Sequence, residues 1–166
     1  MSVARLYGYR TAWNVASRVK EGKNLGRIAL RADGVEFDGL IVPLGLEQGQ
    51  GYTTTGTVFA VSACELALLD EREVNYTREP ITDKLRWLSG VKPRGEYQVY
   101  TYVPKQEAIE TLQAARLRGL EPVVVQSYLK VIEAAVERHR SRYAIEVPVP
   151  EWSVTALSFA TSDTIA

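Results

Sequence analysis

The hydrophobic and polar positions of this 166-residue chain change period several times along its length. "VARLYGY" (3–9) alternates and predicts a short first strand running into a glycine turn. Residues 11–34 show no clean period, and "RADG" (31–34) and "GQG" (49–51) read as turns. "FDGLIVPLGL" (37–46) and "GTVFAVS" (56–62) are strand-like, the second with Thr57, Phe59 and Val61 on one face. From Cys64 the period becomes helical. "NYTREPITDKLRWL" (75–88) alternates again and carries Pro80, which places it near a sheet edge. "EYQVYTYVP" (96–104) is the clearest strand, with Tyr97, Val99, Thr101 and Val103 on one face and Gln98, Tyr100 and Tyr102 on the other.

Two further helices follow. "KQEAIETLQAARLRG" (105–119) spaces Ile109, Leu112 and Ala115 or Arg116 helically and stops at Gly119, a residue suited to the left-handed end of a helix. "VVQSYLKVIEAAVERHR" (124–140) lines up Val125, Tyr128, Ile132, Ala135 and His139. The remaining segment, 145–166, has two prolines in "VPVP" and no helical period, so it is expected extended or loosely attached to a domain spanning 1–144. About five strands, interrupted by one helix and followed by two, suit an α+β fold better than a doubly wound sheet.

The first helix has a defined start. Ser62 and Glu65 form a capping box, hydroxyl to the Glu65 amide and carboxylate back to the Ser62 amide. At 100° per residue Leu66, Leu69, Asp70 and Glu73 share a face, with Glu73 about 20° from Leu66. The leucine stripe thus leads to a carboxylate. Glu73 stands either in solvent past the last turn or at the rim of a cavity, and spacing alone favours the first.

Composition narrows the classes. With 46% apolar and 24% charged residues the chain is globular, and twenty basic residues balance twenty acidic ones. No global field draws nucleic acid or anionic lipid. One cysteine excludes an internal disulfide framework and a Cys-rich metal site. No apolar run approaches the roughly 20 residues of a membrane span, and the first ten residues lack a signal-peptide core. A cytoplasmic single domain is expected.

"GTVFAVSACELALLDEREVNYTREPI" (56–81) resembles the central motif of the gamma-glutamylcyclotransferase-like superfamily. That motif is a G-x-V-aromatic-x-V strand, a helix ending L-D-x-x-E, and a Y-x-R strand. "LYGY" (6–9) sits where the family has its N-terminal Y-G-S turn. "YVP" (102–104) resembles a later strand, and "QSYLKVI" (126–132) the helix bearing a second tyrosine. The resemblance covers roughly residues 3–140. It implies a small, mostly closed mixed β-barrel with flanking helices that releases 5-oxoproline from small γ-glutamyl compounds, with no metal and no cofactor. It also implies Glu73 as the catalytic acid/base, Tyr7, Gly8, Tyr9 and Arg10 as an anion-binding turn, and Tyr76 and Tyr128 as site tyrosines.

The chemistry fits those parts. The α-amine of a γ-glutamyl amide attacks its own γ-carbonyl, so proximity supplies much of the acceleration. One carboxylate can take the proton from that amine and return it to the departing nitrogen. Backbone amides in a glycine turn suit the oxyanion or the substrate carboxylate. Tyr9 and Arg10 replace the family's Ser and Asn or Thr. Arg10 either binds the α-carboxylate or forks onto a surface acid. Val74 replaces a frequent glycine after the glutamate. A non-catalytic binding module of the same fold and an amide hydrolase using the same glutamate remain open, as do the leaving group and the oligomeric state.

Other signals are weaker. His139 reads as a structural residue at a helix end, Cys64 as a small packing residue, and "ERHRSR" (137–142) as a solvated basic helix end. "GKNLGR" (22–27) lacks P-loop spacing. Trp13, Trp87 and Trp152 have no role assignable from sequence.

Overall fold

The computed structural model describes residues 1–18, 27–143 and 145–161. "GKNLGR" lies outside the described residues apart from the backbone of Arg27, as do the last five residues. The fold is mixed α+β, with three α-helices and four sheets.

Strand β1 (Ser2–Ala12) is much longer than the alternation at 3–9 predicts, because the glycine within it is a bulge and not a turn. Ser2, Ala4 and Leu6 point inward, then Gly8 adopts φ 83° and the phase shifts, so that Tyr9 is fully buried. Strict alternation would have turned position 9 outward; the extra residue reverses its face. Opposite lies β5 (Gly45–Val58), antiparallel, whose register jumps from Thr53 opposite Tyr7 to Gln48 opposite Tyr9. The expected "GQG" turn is therefore the excursion of one long strand, and of the strand expected at 56–62 only residues 56–58 form its far end. The segment 37–46 yields only the two-residue β4 (Leu40–Ile41) and the start of β5. Two more short strands precede β4: β2 (Ser17–Arg18) and β3 (Arg27–Leu30).

The Ser62 capping box is present, with the Glu65 amide 3.2 Å from the hydroxyl and the Glu65 carboxylate 2.7 Å from the Ser62 amide. It opens α1 (Ala63–Arg72), for which Glu73 is the C-cap. The predicted strand at 75–88 is broken into β6 (Tyr76–Pro80), a 3-10 turn at Thr82–Lys84, and β7 (Leu85–Ser89). β8 (Tyr100–Pro104) pairs only with β6, and β7 lies at the edge of β5–β1–β7. α2 (Gln106–Arg118) ends at Gly119 in the left-handed region, φ 69°. The helix predicted from residue 124 begins at Gln126: α3 runs Gln126–Tyr143, and the valines before it form β9 (Pro122–Val125).

β9 is the centre of the second large sheet, in the order β10–β9–β4–β2, with parallel pairing on both of its sides. Its valines are buried on both faces, the usual composition of a covered parallel strand. Val124 joins Trp13, Leu40, Val42, Leu112 and Ala115 beneath α2 and α3, while Val123 packs with Ala29 and Phe37 on the other side. α3 contributes Leu129 and Ile132 to this packing, and its Val136 is buried as well. The inward stripe is thus rotated from the predicted one: Ala135 is exposed, and Tyr128 lies at the margin of the packing with its ring edge-on to Trp13. A separate cluster of Leu6, Tyr9, Ile81 and Val99 fills the space between β5–β1–β7 and β6–β8.

Among the described residues the ladders form four sheets, none of them closed into a barrel. The C-terminal segment takes the extended one of the two forms expected for it, and it is tied into the sheets. β10 (Ser153–Thr155) adds to β9, and β11 (Ser158–Thr161) pairs with β3. Trp13 Nε1 donates to the Pro148 carbonyl at 2.7 Å and Trp152 Nε1 to the Trp13 carbonyl at 3.2 Å, which gives those two tryptophans structural roles. Trp87 packs edge-on against Tyr97 in the Tyr9 cluster. Among the described residues no helix is long and apolar enough to cross a membrane.

Candidate active site

Glu73 stands where α1 ends. Its amide donates to the Leu69 carbonyl at 2.9 Å, and its carbonyl accepts from the Tyr76 amide at 2.9 Å, so the chain turns from helix into β6 within three residues. Lys105 pins that turn twice, donating its backbone N–H to Asn75 O and its Nζ to Val74 O, both at 2.9 Å. Val74 lies in the turn between α1 and β6. The side chain of Glu73 is 23% exposed, neither free in solvent nor buried. Arg72 places both Nε and Nη2 on Oε1, at 2.9 and 2.7 Å, and leaves Oε2 outside the fork.

Three tyrosines surround this carboxylate electrostatically. The Tyr76 phenol is pushed strongly upward, chiefly by burial and then by the charges of Tyr128 and Glu73. Burial also raises Tyr128; the Leu44 amide, which donates to its oxygen at 3.3 Å, acts against the shift, and Glu73 adds to it. Tyr102 is raised by burial and by its 2.8 Å bond to Asp70, with a further contribution from Glu73. Asp70 in turn accepts from Arg78 at 2.6 Å. For each of the three phenols burial is the first cause of the shift and the Glu73 charge the last. In the sequence Tyr102 stands out only as a member of the second face of its strand. The Asp70 partnership lay hidden in a long-range pairing of Arg78 with Tyr102 across β6 and β8.

Asn14 is a further residue that sequence reading missed. Its Nδ2 donates to Leu46 O at 3.2 Å, while its Oδ1 is buried with no partner. It packs beside Gly45, next to the Leu44 amide that meets Tyr128. An unpaired buried acceptor costs about 1–3 kcal/mol, and a bound donor would remove that cost. Nothing in a lone Asn among unpatterned residues signals this.

The "LYGY" turn is differently placed. Tyr9 is a core residue whose hydroxyl donates to Glu79 at 2.8 Å and accepts from Lys84 at 2.9 Å. Arg10 forks onto Glu47 at 2.7 Å and lies over the Tyr52 ring at 4.3 Å, the surface-acid alternative. It lines a cleft of about 690 Å3 with Thr53, Arg140 and the segment 145–149, which none of Glu73, Tyr76 and Tyr128 lines. Tyr7 is 40% exposed opposite Thr53. Gly8 leaves the β1–β5 ladder at the bulge, so its peptide is the part of the turn not consumed by strand pairing. Cys64 is exposed and is not the packing residue expected. Among the described residues no group of three or more His, Cys, Asp or Glu side chains is placed to hold a metal.

The raised phenols make a pH prediction. A group whose folded pKa lies above its unfolded value of about 10 adds stability below that value and loses it as pH climbs toward the folded pKa. Stability should therefore fall above about pH 10. In an ultraviolet phenolate titration Tyr76, Tyr102 and Tyr128 should ionise above the ordinary phenol range, with Tyr76→Phe deleting the latest step. Loss of an early step in that variant would contradict the placement of Tyr76.

Fold and site together define a mixed α+β chain with a tyrosine-flanked carboxylate at a helix end. No family model, curated protein or solved structure matches the chain.

Proposed function

We propose that this chain is a γ-glutamyl cyclotransferase of the gamma-glutamylcyclotransferase-like kind, acting in the cytoplasm on a small γ-glutamyl amine or amino acid. In this reading β5–β1–β7 and β6–β8, with the Tyr9 cluster between them, correspond to the walls of that family's barrel. The observation that supports the reading is Glu73 itself, a largely covered carboxylate at the end of α1 with Oε1 held by Arg72 and Oε2 outside that fork.

Glu73 is the proton carrier. Arg72 fixes Oε1, so Oε2 is the oxygen presented to the substrate α-ammonium. It takes one proton, and the resulting amine attacks the γ-carbonyl carbon. A C–N bond forms to close the five-membered lactam, the attacking nitrogen sheds its second proton, the exocyclic C–N bond breaks, and the two protons pass in turn through the carboxylate to the departing nitrogen, which leaves as an ammonium. The neutral phenols of Tyr76 and Tyr128 can donate hydrogen bonds to the oxygen that gains charge. The Gly8 peptide at the bulge serves as a further anion donor, and Asn14 Oδ1 as an acceptor for a substrate N–H. Tyr9 holds the wall in place. Arg10 is already engaged by Glu47.

The test is product analysis by mass spectrometry across γ-glutamyl amino acids and γ-glutamylamines. Release of 5-oxoproline is expected for at least one member. Free glutamate in its place would assign hydrolysis, and no product with ligand-induced thermal stabilisation would assign a binding module.

A further inference from the structure

α1 is a ten-residue helix with no buried residue. Helices this short are marginal in water, so what ties them to the rest of the fold decides where they point. Leu66 and Leu69 are only half-covered, and apolar packing alone holds the last turn loosely. That turn leads into Glu73. A carboxylate that must meet a reacting nitrogen tolerates little displacement, since about 1 Å can cost on the order of 10²-fold in rate.

Asp70 supplies the missing restraint. It precedes Glu73 by three positions, on the same side of the helix end. Both of its oxygens are taken: Oδ1 accepts from the Tyr102 hydroxyl at 2.8 Å and Oδ2 from Arg78 Nη1 at 2.6 Å. Those two partners stand directly opposite each other in the β6–β8 ladder, so one carboxylate fastens the helix end to both strands. The Arg78 guanidinium also lies over the Tyr100 ring at 4.9 Å, which limits its own freedom. The bond from Arg78 to Asp70 closes a loop of chain that contains Glu73, and Lys105, at the end of β8, holds that loop at Val74 and Asn75. Among the described residues the Glu73 carboxylate itself bonds only to Arg72, its neighbour in the same turn. Its placement against β6 and β8 therefore passes through Asp70 and Lys105. An ion pair as accessible as Asp70–Arg78 contributes little to stability, so its value here is geometric.

We propose that Asp70, anchored by Tyr102 and Arg78, is a positioning residue that sets where the Glu73 carboxylate points. Its effect on turnover rests on the cyclotransferase reading; its effect on the turn rests on geometry alone.

Two readouts on the full chain test this. Asp70→Ala removes both anchors, and Tyr102→Phe removes one by deleting a hydroxyl. The Glu73 and Tyr76 amides, whose bonds to Leu69 O and Glu73 O make the turn, should exchange hydrogen about tenfold faster in Asp70→Ala. On a γ-glutamyl substrate that wild type turns over, kcat should fall roughly 10–100-fold in Asp70→Ala and about 3–10-fold in Tyr102→Phe, with KM within about twofold, because Glu73 moves its protons in the transition state. Arg31→Gln breaks an ion pair of the same length elsewhere, Arg31 to Glu121 at 2.6 Å, and should leave both readouts at the wild-type values. Unchanged exchange in a folded Asp70→Ala chain overturns the inference whatever the activity. Faster exchange with unchanged kcat overturns the positioning role and leaves the reading of Glu73 standing. A wild type that releases no 5-oxoproline overturns that reading, while exchange still decides whether Asp70 holds the turn. If Asp70→Ala does not fold, Tyr102→Phe decides by the same outcomes.

Discussion

Glu73→Gln should lower 5-oxoproline release by roughly 10²–10⁴-fold, the usual contribution of a positioned acid–base group. The fold should persist. The amide oxygen can still accept from Arg72, and the pair it replaces is solvent-accessible, with Arg72 71% exposed, so the cost is within the roughly 0–1 kcal/mol of surface ion pairs. An amide matches the shape of the carboxylate but cannot shuttle a proton. Parallel thermal melts separate the two effects. Activity retained in a folded Glu73→Gln chain would remove this residue from the mechanism.

The largest expected effect on stability comes from Leu40→Ala. Leu40 is fully buried in β4, beneath α2 and beside β9, with its amide donating to Glu121 O at 3.1 Å. Truncation should cost about 2–5 kcal/mol, the range for buried leucines that leave a cavity. For a chain of this length that corresponds to a fall in Tm of roughly 5–15 °C. Glu73, Tyr76 and Tyr102 are not in that cluster, and Tyr128 meets it only through Trp13 and Leu44, so the remaining folded protein should keep most of its turnover. A fall in Tm under about 2 °C would mean that this layer is not the core.

Local signals carried much of the helical half. The Ser62–Glu65 box and the Gly119 stop are short-range chemistry, and both appear where the residues place them. The Glu73, Tyr76 and Tyr128 grouping came through the family resemblance and not through spacing, because its members lie far apart in sequence. What stayed illegible depends on distant partners. β9 is four residues of Pro and Val directly before a helix, and only pairing with β4 and β10 makes it a strand. The two-residue β2 and β4 have no period at all. The outcome at "LYGY" turned on one backbone angle: a positive φ at Gly8 decides whether Tyr9 meets a ligand or the core. Helical phase in α3 was displaced because valines belonging to β9 were counted into its stripe.

The most direct test of the central claim is the reaction of a turned-over γ-glutamyl substrate in water enriched in oxygen-18. Intramolecular attack by the α-amine incorporates no solvent oxygen, so the account predicts unlabelled 5-oxoproline that requires Glu73. Labelled glutamate, or 5-oxoproline carrying the solvent label, would show that water attacks the γ-carbonyl and would contradict it.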